Sequence, residues 1–244
     1  MSIDKTLKFQ GSIGEYQVVL TADGSPTLHS EAFNESCHST HGAASETRYI
    51  YVEGCEIVKR NAACIFEVGF GLGTGWQESI QAHDDFIFYS TELDEKLVYW
   101  SQEQFNLFDS LTKEDNVLIG TKKNSKAIIL LGDARDTVKN FDFEKEFDAI
   151  YQDAFSPKRN PTLWTEEWFK TLLNLSSESV ILSTYSASSR IKKSLFCAGW
   201  ILEERQGFMG KRSSTRGFRK GEMSDQLLTK LSNPKIQPMS DLEL

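Results

Sequence analysis

The sequence of 244 residues lacks long hydrophobic runs, and its longest uninterrupted apolar segments, 62–66 and 127–131, have only five residues each. A membrane-spanning helix requires about 20 apolar residues, so the sequence predicts no association with a membrane. Residues 1–10 mix charged with isolated apolar residues and do not contain the hydrophobic centre of a secretory signal. We therefore expect a cytoplasmic protein.

Cysteine is scarce as well: the four residues stand at positions 37, 55, 64 and 197, and none of them forms a CxxC pair. This usage fits a reducing compartment, where structural disulfides are rare. Cys37, His38 and His41 lie close together in the sequence and leave a zinc site open as an alternative. A zinc site needs further ligands and groups that orient them. Because neither can be assigned, we expect no metal.

Positive charge is in deficit, since 27 Lys and Arg residues oppose 35 Asp and Glu residues, for a net charge of −8. This balance argues against a protein that binds nucleic acid over its whole surface. Residues 190–220 differ, because nine basic residues accompany only two acidic ones there. The segment predicts either a local surface for a polyanion or a solvated basic face.

The length suits one α/β domain with small additions. We expect an N-terminal β-rich extension packed on the core over residues 1–60, a main domain over 61–221, and a loosely ordered C-terminal tail over 222–244. Within the extension, the short alternating pattern of residues 7–20 predicts a hairpin. Residues 45–60 predict a helix or a mixed connection that leads into the sheet.

After residue 60, short β-rich runs alternate with longer helical patterns, which is typical of βαβ units and a parallel sheet. The predicted strands are 63–68, 86–91, 126–131, 147–152 and 179–184. The predicted helices are 74–83, 94–106, 162–174 and 186–198. Two further strands, 200–206 and 213–219, are expected to close one edge in antiparallel fashion. The predicted fold is a Rossmann-like, mostly parallel central sheet with helices on both faces.

A glycine-rich loop, FEVGFGLGTG at residues 66–75, follows the first of these strands and opens a helix. It lacks the third glycine of the GxGxxG fingerprint that nicotinamide dinucleotides require. The spacing resembles the first motif of class I methyltransferases, which use S-adenosylmethionine. That cofactor has no phosphate for the helix N-terminus, but it carries a sulfonium cation and an amino acid group. A carboxylate at Glu67 would organise this end of the site.

Three more acidic residues end predicted strands. Glu92 stands about 20 residues after the loop, where a ribose-binding acid belongs in such folds, although a helix cap is the alternative. Asp133, followed by Ala134, would bond the adenine amino group, and an N-cap role is compatible with this. Asp153 is the predicted catalytic residue, because a carboxylate there would hold and deprotonate an amine nucleophile. A free alkyl amine has a pKa of about 10.4 and cannot attack before it loses a proton.

Taken together, residues 23–220 resemble the methyltransferase part of the MnmC family of tRNA-modifying enzymes. The motifs that carry this resemblance are DGSP at 23–26, ETRY at 46–49, the glycine loop, DAFSPKRNP at 153–161 with LWT at 163–165, TYS at 184–186, and GF at 207–208 followed by KR at 211–212. The string that begins at Asp153 is far more specific than the glycine loop. The expected cofactor contacts are Glu67, Gly69, Gly71, Gly73, Glu92, Asp133 and Ala134.

The resemblance implies that the amine of 5-aminomethyl-2-thiouridine, at the wobble position in a tRNA anticodon loop, accepts the methyl group. The expected substrate-binding residues are Phe155, Lys158, Lys211 and Arg212. Trp164 is an alternative stacking surface or a core residue. The flavin domain of the family has no room in 244 residues, so we expect no FAD and a functional link to a separate flavoenzyme. A methyltransferase for a small-molecule or protein amine, and a non-catalytic binding module, remain open alternatives.

Overall fold

The computed structural model describes residues 7–210 and 213–244, which form two sheets and seven α-helices. The strands are β1 (Lys8–Gln10), β2 (Glu15–Leu20), β3 (Pro26–Ser30), β4 (Glu35–Ser36), β5 (Ala63–Val68), β6 (Phe86–Glu92), β7 (Ser110–Glu114), β8 (Val117–Lys122), β9 (Ser125–Leu131), β10 (Phe147–Tyr151), β11 (Ser176–Thr184), β12 (Ile201–Gln206) and β13 (Ser213–Phe218). The helices are α1 (Ala43–Thr47), α2 (Thr74–Ala82), α3 (Glu95–Phe105), α4 (Ala134–Asn140), α5 (Glu166–Asn174), α6 (Ser189–Cys197) and α7 (Asp225–Ser232). A π-helical turn, Arg48–Val52, continues α1.

The nine-stranded sheet has the order β12-β13-β11-β10-β5-β6-β9-β8-β7. Its five central strands, from β11 to β9, are parallel, and an antiparallel pair closes each edge. The chain proceeds outward from β5 through β6 to β9 and then crosses to β10 on the other side of β5. Ligands of open α/β sheets bind at such a reversal, beside the carboxyl ends of the strands. The topology therefore predicts a ligand site at the carboxyl ends of β5 and β10.

Apolar side chains cover both faces of the central sheet. All six residues of β5 are buried, as expected for a strand with helices on both sides. Cys64, Phe66 and Val68 pack with residues of α5 and α6, whereas Ala63 and Ile65 pack with residues of α2 and the π-helical turn. The predicted α/β fold with a mostly parallel sheet is confirmed. None of the helices formed by the described residues is long and apolar enough to cross a membrane.

The N-terminal extension forms its own antiparallel sheet, β1 to β4, in which β1 and β2 make the expected hairpin. This sheet packs on the main domain through a third apolar cluster, because Tyr16, Val18 and Leu28 contact Leu72 of the glycine loop and Leu97 of α3. The extension is therefore seated next to the carboxyl edge of the central sheet. We keep the division at residues 60 and 221 as a proposal.

The helix predicted over 162–174 begins later than expected. Pro161–Trp164 forms a 3-10 turn, and the extended backbone of Thr165 (φ −78°, ψ 159°) separates that turn from α5. The Thr165 hydroxyl then accepts a hydrogen bond from the Trp168 amide at 3.2 Å, which caps α5. The sequence pattern of residues 162–174 predicts one helix, because the Thr165 cap lies inside the helical pattern and does not interrupt it.

The C-terminal segment differs from the loosely ordered tail that the sequence predicts. Residues 225–232 form α7, and Leu227, Leu231 and Met239 are buried in the main core. The Met239 amide donates to Ser194 of α6 at 2.8 Å, and Arg135 forms an ion pair with Asp241. The expectation of loose order was wrong because Leu227, Leu231 and Met239, although scattered in the sequence, pack against the main core. Leu228, Leu242 and Leu244 remain exposed.

The buried α7 face yields a stability test. We expect Leu231→Ala to lower the free energy of unfolding by about 2–5 kcal/mol, because it removes a fully buried side chain and leaves a cavity. Chemical denaturation with circular dichroism measures this change. Leu228→Ala is the matched control, since Leu228 lies on the same helix and is 42% exposed. Equal effects of the two substitutions would show that α7 does not pack as described.

Candidate active site

A cavity lies at the carboxyl edge of the central sheet, and we call it the glycine-loop cavity. It brings together eight of the residues that the sequence predicts for the site. These are Glu67, Gly69, Gly71, Glu92, Asp133, Ala134, Asp153 and Phe155. The N-terminal extension supplies further walls, namely Ile13, Tyr16, Phe33, Cys37 and His38. The cavity therefore lies between the extension and the sheet.

The glycines of the loop have different roles. Gly71 has φ +53°, and a Cβ there would meet no atom within 4 Å, so its backbone borders open space in the cavity. Gly69 also has positive φ and lines the cavity. Gly73 does not line it; a Cβ on Gly73 would lie 2.8 Å from the Phe70 ring and 2.9 Å from Leu107. The structure thus places Gly73 in the packing of the loop, away from the predicted cofactor contacts.

Glu67 is the next-to-last residue of β5, and its side chain is almost completely buried. A Cβ on Gly75 would lie 1.9 Å from its Oε1 atom, so the glycine at the start of α2 is what admits this side chain. Burial, together with the negative charge of Asp153, raises the pKa of Glu67 well above its ordinary value. A cation in the cavity would offset this desolvation and favour the charged carboxylate.

Glu92 joins the end of β6 to the glycine loop. Its Oε2 accepts a hydrogen bond from the Gly71 amide at 2.8 Å, and its Oε1 accepts one from the Asp94 amide at 2.9 Å. Burial raises the pKa of Glu92. The cap of α3 is Asp94, whose side chain accepts from the Lys96 and Leu97 amides. Glu92 is therefore not the helix cap, and its carboxylate faces the cavity while it fixes the loop.

Asp133 stands at the start of α4. Its side chain accepts a hydrogen bond from the Arg135 amide at 2.8 Å, which makes it the N-cap of this helix. Asp133 is nevertheless exposed and lines the glycine-loop cavity together with the buried Ala134. The N-cap and the predicted cofactor contact are thus compatible in space, as the sequence suggested.

Asp153 follows β10 and borders two cavities. The second, which we call the N-terminal cavity, is lined by Asp153, Phe155 and residues of the extension such as Glu46 and Tyr51. The Tyr51 hydroxyl donates to Asp153 Oδ1 at 2.6 Å. Burial and the charge of Asp153 raise the pKa of Tyr51, so it remains a neutral donor. Asp153 thus joins the glycine-loop cavity to a second chamber.

His38 lies on the other side of the same carboxylate. Its Nε2 atom is 3.9 Å from Asp153 Oδ2, and its Nδ1 atom is 3.2 Å from the Thr27 hydroxyl. Burial lowers the pKa of His38 to about 4, so the imidazole is neutral near pH 7. It therefore adds no positive charge to the chamber. The sequence suggested His38 only as a zinc ligand, and Tyr51 carried no signal of its own.

The loop that carries Asp153 is held from several directions. The Tyr185 hydroxyl donates to the Ala154 carbonyl at 3.0 Å, and Trp164 Nε1 donates to the Phe155 carbonyl at 2.8 Å. Trp164 is fully buried, which assigns it to the core and excludes it as a free stacking surface. Phe155 reaches both cavities, but one face of its ring stacks on Phe33 with a centroid distance of 4.3 Å.

The basic residues expected to bind the substrate are not found in the lining of the two cavities within the described residues. Lys158 is exposed and does not line either cavity, and Lys211 and Arg212 lie outside the described residues. Much of the positive charge in 190–220 is used in internal ion pairs. These join Arg190 to Glu243, Lys192 to Glu204, Arg216 to Glu56 and Glu203, and Arg219 and Lys220 to Glu178. The segment therefore offers less unpaired positive charge to a polyanion than the sequence indicates.

The zinc alternative gains no support from the geometry. In residues 7–210 and 213–244, no group of three or more His, Cys, Asp or Glu side chains is placed to hold a metal ion. His41 is exposed and its Nδ1 atom lies 3.1 Å from the Ser39 hydroxyl, whereas Cys37 and His38 line the glycine-loop cavity. His38 instead contacts Thr27 and Asp153.

The Tyr51 hydrogen bond can be tested by itself. We expect Tyr51→Phe to lower kcat about tenfold, because one hydrogen bond to Asp153 Oδ1 is lost while the ring remains. Cofactor affinity should not change, since Tyr51 does not line the glycine-loop cavity. Steady-state kinetics and calorimetry separate these quantities, and Tyr99→Phe, at an exposed site on α3, is the control. An unchanged kcat would remove Tyr51 from the site.

Comparisons with known proteins agree with this fold. The chain matches the model of a family of S-adenosyl-L-methionine-dependent methyltransferases over residues 98–220. It is 27% identical to the tRNA 5-methylaminomethyl-2-thiouridine biosynthesis bifunctional protein MnmC of Leptospira interrogans, over 90% of this chain and 37% of that protein. The corresponding protein of Paraburkholderia phymatum is 26% identical over 82% of this chain and 34% of its own length. The chain thus spans about a third of the length of these curated relatives.

Solved structures extend the comparison. The crystal structure of MNMC2 from Aquifex aeolicus has a TM-score of 0.74 and 25% identity, covering 93% of this chain and 79% of the other. A spermidine synthase from Thermotoga maritima has a TM-score of 0.58 at 13% identity, covering 97% of this chain and 80% of the other, which shows a shared fold. Because the family model spans more than half of the sequence, the chain belongs to the S-adenosyl-L-methionine-dependent methyltransferases and is homologous to the methyltransferase domain of MnmC.

Proposed function

We propose that this protein transfers a methyl group from S-adenosylmethionine to the aminomethyl nitrogen of 5-aminomethyl-2-thiouridine at the tRNA wobble position. The product would be 5-methylaminomethyl-2-thiouridine. The observation that carries the proposal is the position of Asp153, whose carboxylate lines both the glycine-loop cavity and the N-terminal cavity. A group that must hold an acceptor against a methyl donor belongs at such a junction.

The glycine-loop cavity fits the cofactor. The open space over Gly71 admits a ligand against the main chain, and the buried Glu67 carboxyl offers a partner to a cationic group. In this proposal Glu92 accepts hydrogen bonds from the ribose hydroxyls, and Asp133, beside Ala134, receives the adenine amino group. S-adenosylmethionine, when bound, supplies an electrophilic methyl group attached to a sulfonium.

The N-terminal cavity suits the acceptor amine. Glu35, Glu46 and Asp153 line it, so an aminomethyl group that arrives as a cation meets carboxylates. Oδ1 of Asp153 accepts the Tyr51 hydroxyl, and in this proposal the carboxylate oriented in this way holds the amine and takes its proton. The neutral imidazole of His38 beside Oδ2 does not repel the cation. The amine nitrogen then has a free lone pair for attack.

A wobble base lies in a single-stranded loop and can be turned out into a pocket at modest cost. The free face of the Phe155 ring would stack on it, and the two cations that follow Asp153 on the same loop would meet the phosphates. The side chains of Lys158 and Arg159 are exposed and form no ion pair within the described part of the chain. The four free cysteines fit a cytoplasmic enzyme.

The direct test uses tRNA from cells whose wobble uridines carry the aminomethyl group. Incubation with methyl-labelled S-adenosylmethionine should place the label in the wobble nucleoside, identified by mass spectrometry. The same tRNA without the aminomethyl group is the control and should stay unlabelled. Label in a protein or a small amine but not in RNA would favour the second candidate, a methyltransferase for such an acceptor. No methyl transfer of any kind would favour a binding module.

Binding to tRNA should depend steeply on salt. The logarithm of the affinity should fall with a slope of about −0.7 per phosphate contacted in a single strand. Lys158→Ala and Arg159→Ala should each reduce this slope by about one contact, measured by filter binding or fluorescence anisotropy. Lys145→Ala is the control, because Lys145 is exposed and precedes β10 at the opposite edge of the sheet. A flat salt response would contradict the assignment of these cations to phosphates.

A further inference from the structure

We propose that the turn of the N-terminal hairpin, residues 11–14, is a wall of the cofactor site, and that Ile13 contacts the adenosine part of S-adenosylmethionine. The inference rests on the cofactor position proposed above. The sequence assigned the cofactor only to residues of the main domain. The hairpin turn and Asp94 together give the extension a binding role.

The Asp94 carboxylate holds the turn. The Ser12 amide lies 2.9 Å from both of its oxygens, and the Ile13 amide lies 3.4 Å from Oδ2. Asp94 is completely buried and also caps α3 through the Lys96 amide. One carboxylate thus fixes both the start of α3 and the hairpin turn. A buried carboxylate with several backbone donors is a firm anchor.

Gly11 makes this approach possible. A Cβ at that position would lie 2.0 Å from Asp94 Oδ2 and 2.6 Å from the Tyr16 ring, so only glycine admits the carboxylate. The contact is continuous with the predicted cofactor site, because the Asp94 amide donates to Glu92 and Glu92 accepts the Gly71 amide. The hairpin turn, the ribose-binding acid and the glycine loop therefore form one hydrogen-bonded unit.

Aromatic packing seats the hairpin on α3. Phe9 stacks on Trp100 of α3 at a centroid distance of 5.4 Å and on Tyr16 at 5.8 Å. Tyr16 also packs against Leu97 in the third apolar cluster. The hairpin is thus fixed to α3, the helix whose first turn borders Glu92. This packing holds the hairpin in place as one wall of the cavity.

Ile13 stands at the open side of this wall. It lines the glycine-loop cavity with Leu93 and Leu97, yet 36% of its surface is exposed. An adenosine whose ribose reaches Glu92 would lie against these apolar side chains and cover Ile13. Contact with a flat apolar ring would remove this exposed surface from water.

Calorimetric titration with S-adenosylhomocysteine tests the contact. We expect Ile13→Ala to weaken binding about three- to tenfold, from the lost apolar contact. Val58→Ala, at a residue that is 66% exposed and lines neither cavity, should bind as the wild type does. Amide hydrogen exchange of residues 11–16 should also slow when the ligand is added. Unchanged affinity in Ile13→Ala, or no change in exchange, would overturn the inference.

A second variant tests the anchor. Serine still caps helices well but is too short to serve both α3 and the turn, so Asp94→Ser should keep α3 and release the hairpin. We expect binding at least as weak as in Ile13→Ala, with little change in helical circular dichroism. Full affinity in Asp94→Ser would exclude the anchor. If the wild type itself binds neither S-adenosylmethionine nor its product, the proposed function fails and this inference with it. Wild-type binding with unaffected variants removes this inference alone.

Discussion

Asp153→Asn should lower the rate of methyl transfer by about 10²- to 10⁴-fold, which is the range for loss of a general base. Asparagine keeps the size of the side chain and still accepts the Tyr51 hydroxyl through one oxygen. It cannot take a proton from the amine and does not attract a cation. The reacting amine then stays protonated, because the pKa of an alkyl amine is about 10.4.

Single-turnover kinetics with saturating cofactor and tRNA measures this rate without the binding steps. S-adenosylhomocysteine should bind the variant about as well as the wild type, since the change leaves the glycine loop intact. Asp85→Asn is the matched control, because Asp85 is exposed and precedes β6 at the amino edge of the sheet. A variant that transfers methyl groups at the wild-type rate would remove Asp153 from proton transfer.

The part of the site that the sequence predicts well is local in the chain. Glu67 and the loop glycines stand in one short segment whose apolar strand and glycine spacing define both the element and its end. The same holds for Glu92 and Asp133, each at the carboxyl end of a strand with a clear apolar pattern. Parallel strands bring these ends to one edge of the sheet by topology alone.

The part that the sequence does not predict depends on distant contacts. Tyr51 reaches Asp153 across 102 positions, and Ser12 reaches Asp94 across 82. The spacing of apolar residues does not indicate such long-range pairs. The residue preferences of the sequence do not indicate the π-helical turn that carries Tyr51 either. The hairpin of β7 and β8 also escaped prediction, because β7 is an edge strand of mostly exposed polar residues. Its pairing with β8 is set by the neighbouring strands.

Glu67→Gln should weaken the binding of S-adenosylmethionine about 10- to 100-fold, because a charged partner of a cation is replaced by a neutral amide of the same shape. Calorimetry at neutral pH measures the loss. The exposed Glu103→Gln on α3 is the control and should bind normally. A normal affinity in Glu67→Gln would show that the buried carboxyl does not meet the cationic end of the cofactor.

The affinity for S-adenosylmethionine should also depend on pH, in a direction that the raised pKa of Glu67 determines. Burial and the charge of Asp153 raise the pKa of Glu67 well above that of an ordinary glutamate, so the free protein holds this carboxyl neutral through and above the usual range. A bound cation favours the ionised form of Glu67, and cofactor binding therefore releases a proton from this carboxyl. The affinity of the wild type for S-adenosylmethionine should rise with pH until Glu67 is already ionised in the free protein. Glu67→Gln should lose most of this pH dependence. Glu92, whose pKa burial also raises, accounts for the remainder.

Stability should change in the opposite direction from affinity. Because the pKa of Glu67 is higher in the folded state than in the unfolded state, stability declines as the pH rises from the ordinary glutamate value towards the raised one. Glutamine removes this penalty, so the ligand-free variant should unfold at a higher temperature than the wild type at neutral pH. The wild type should gain more from added S-adenosylmethionine. A residue that served only packing would not raise stability and weaken binding together, and this opposition identifies Glu67 as a carboxylate kept for its ligand.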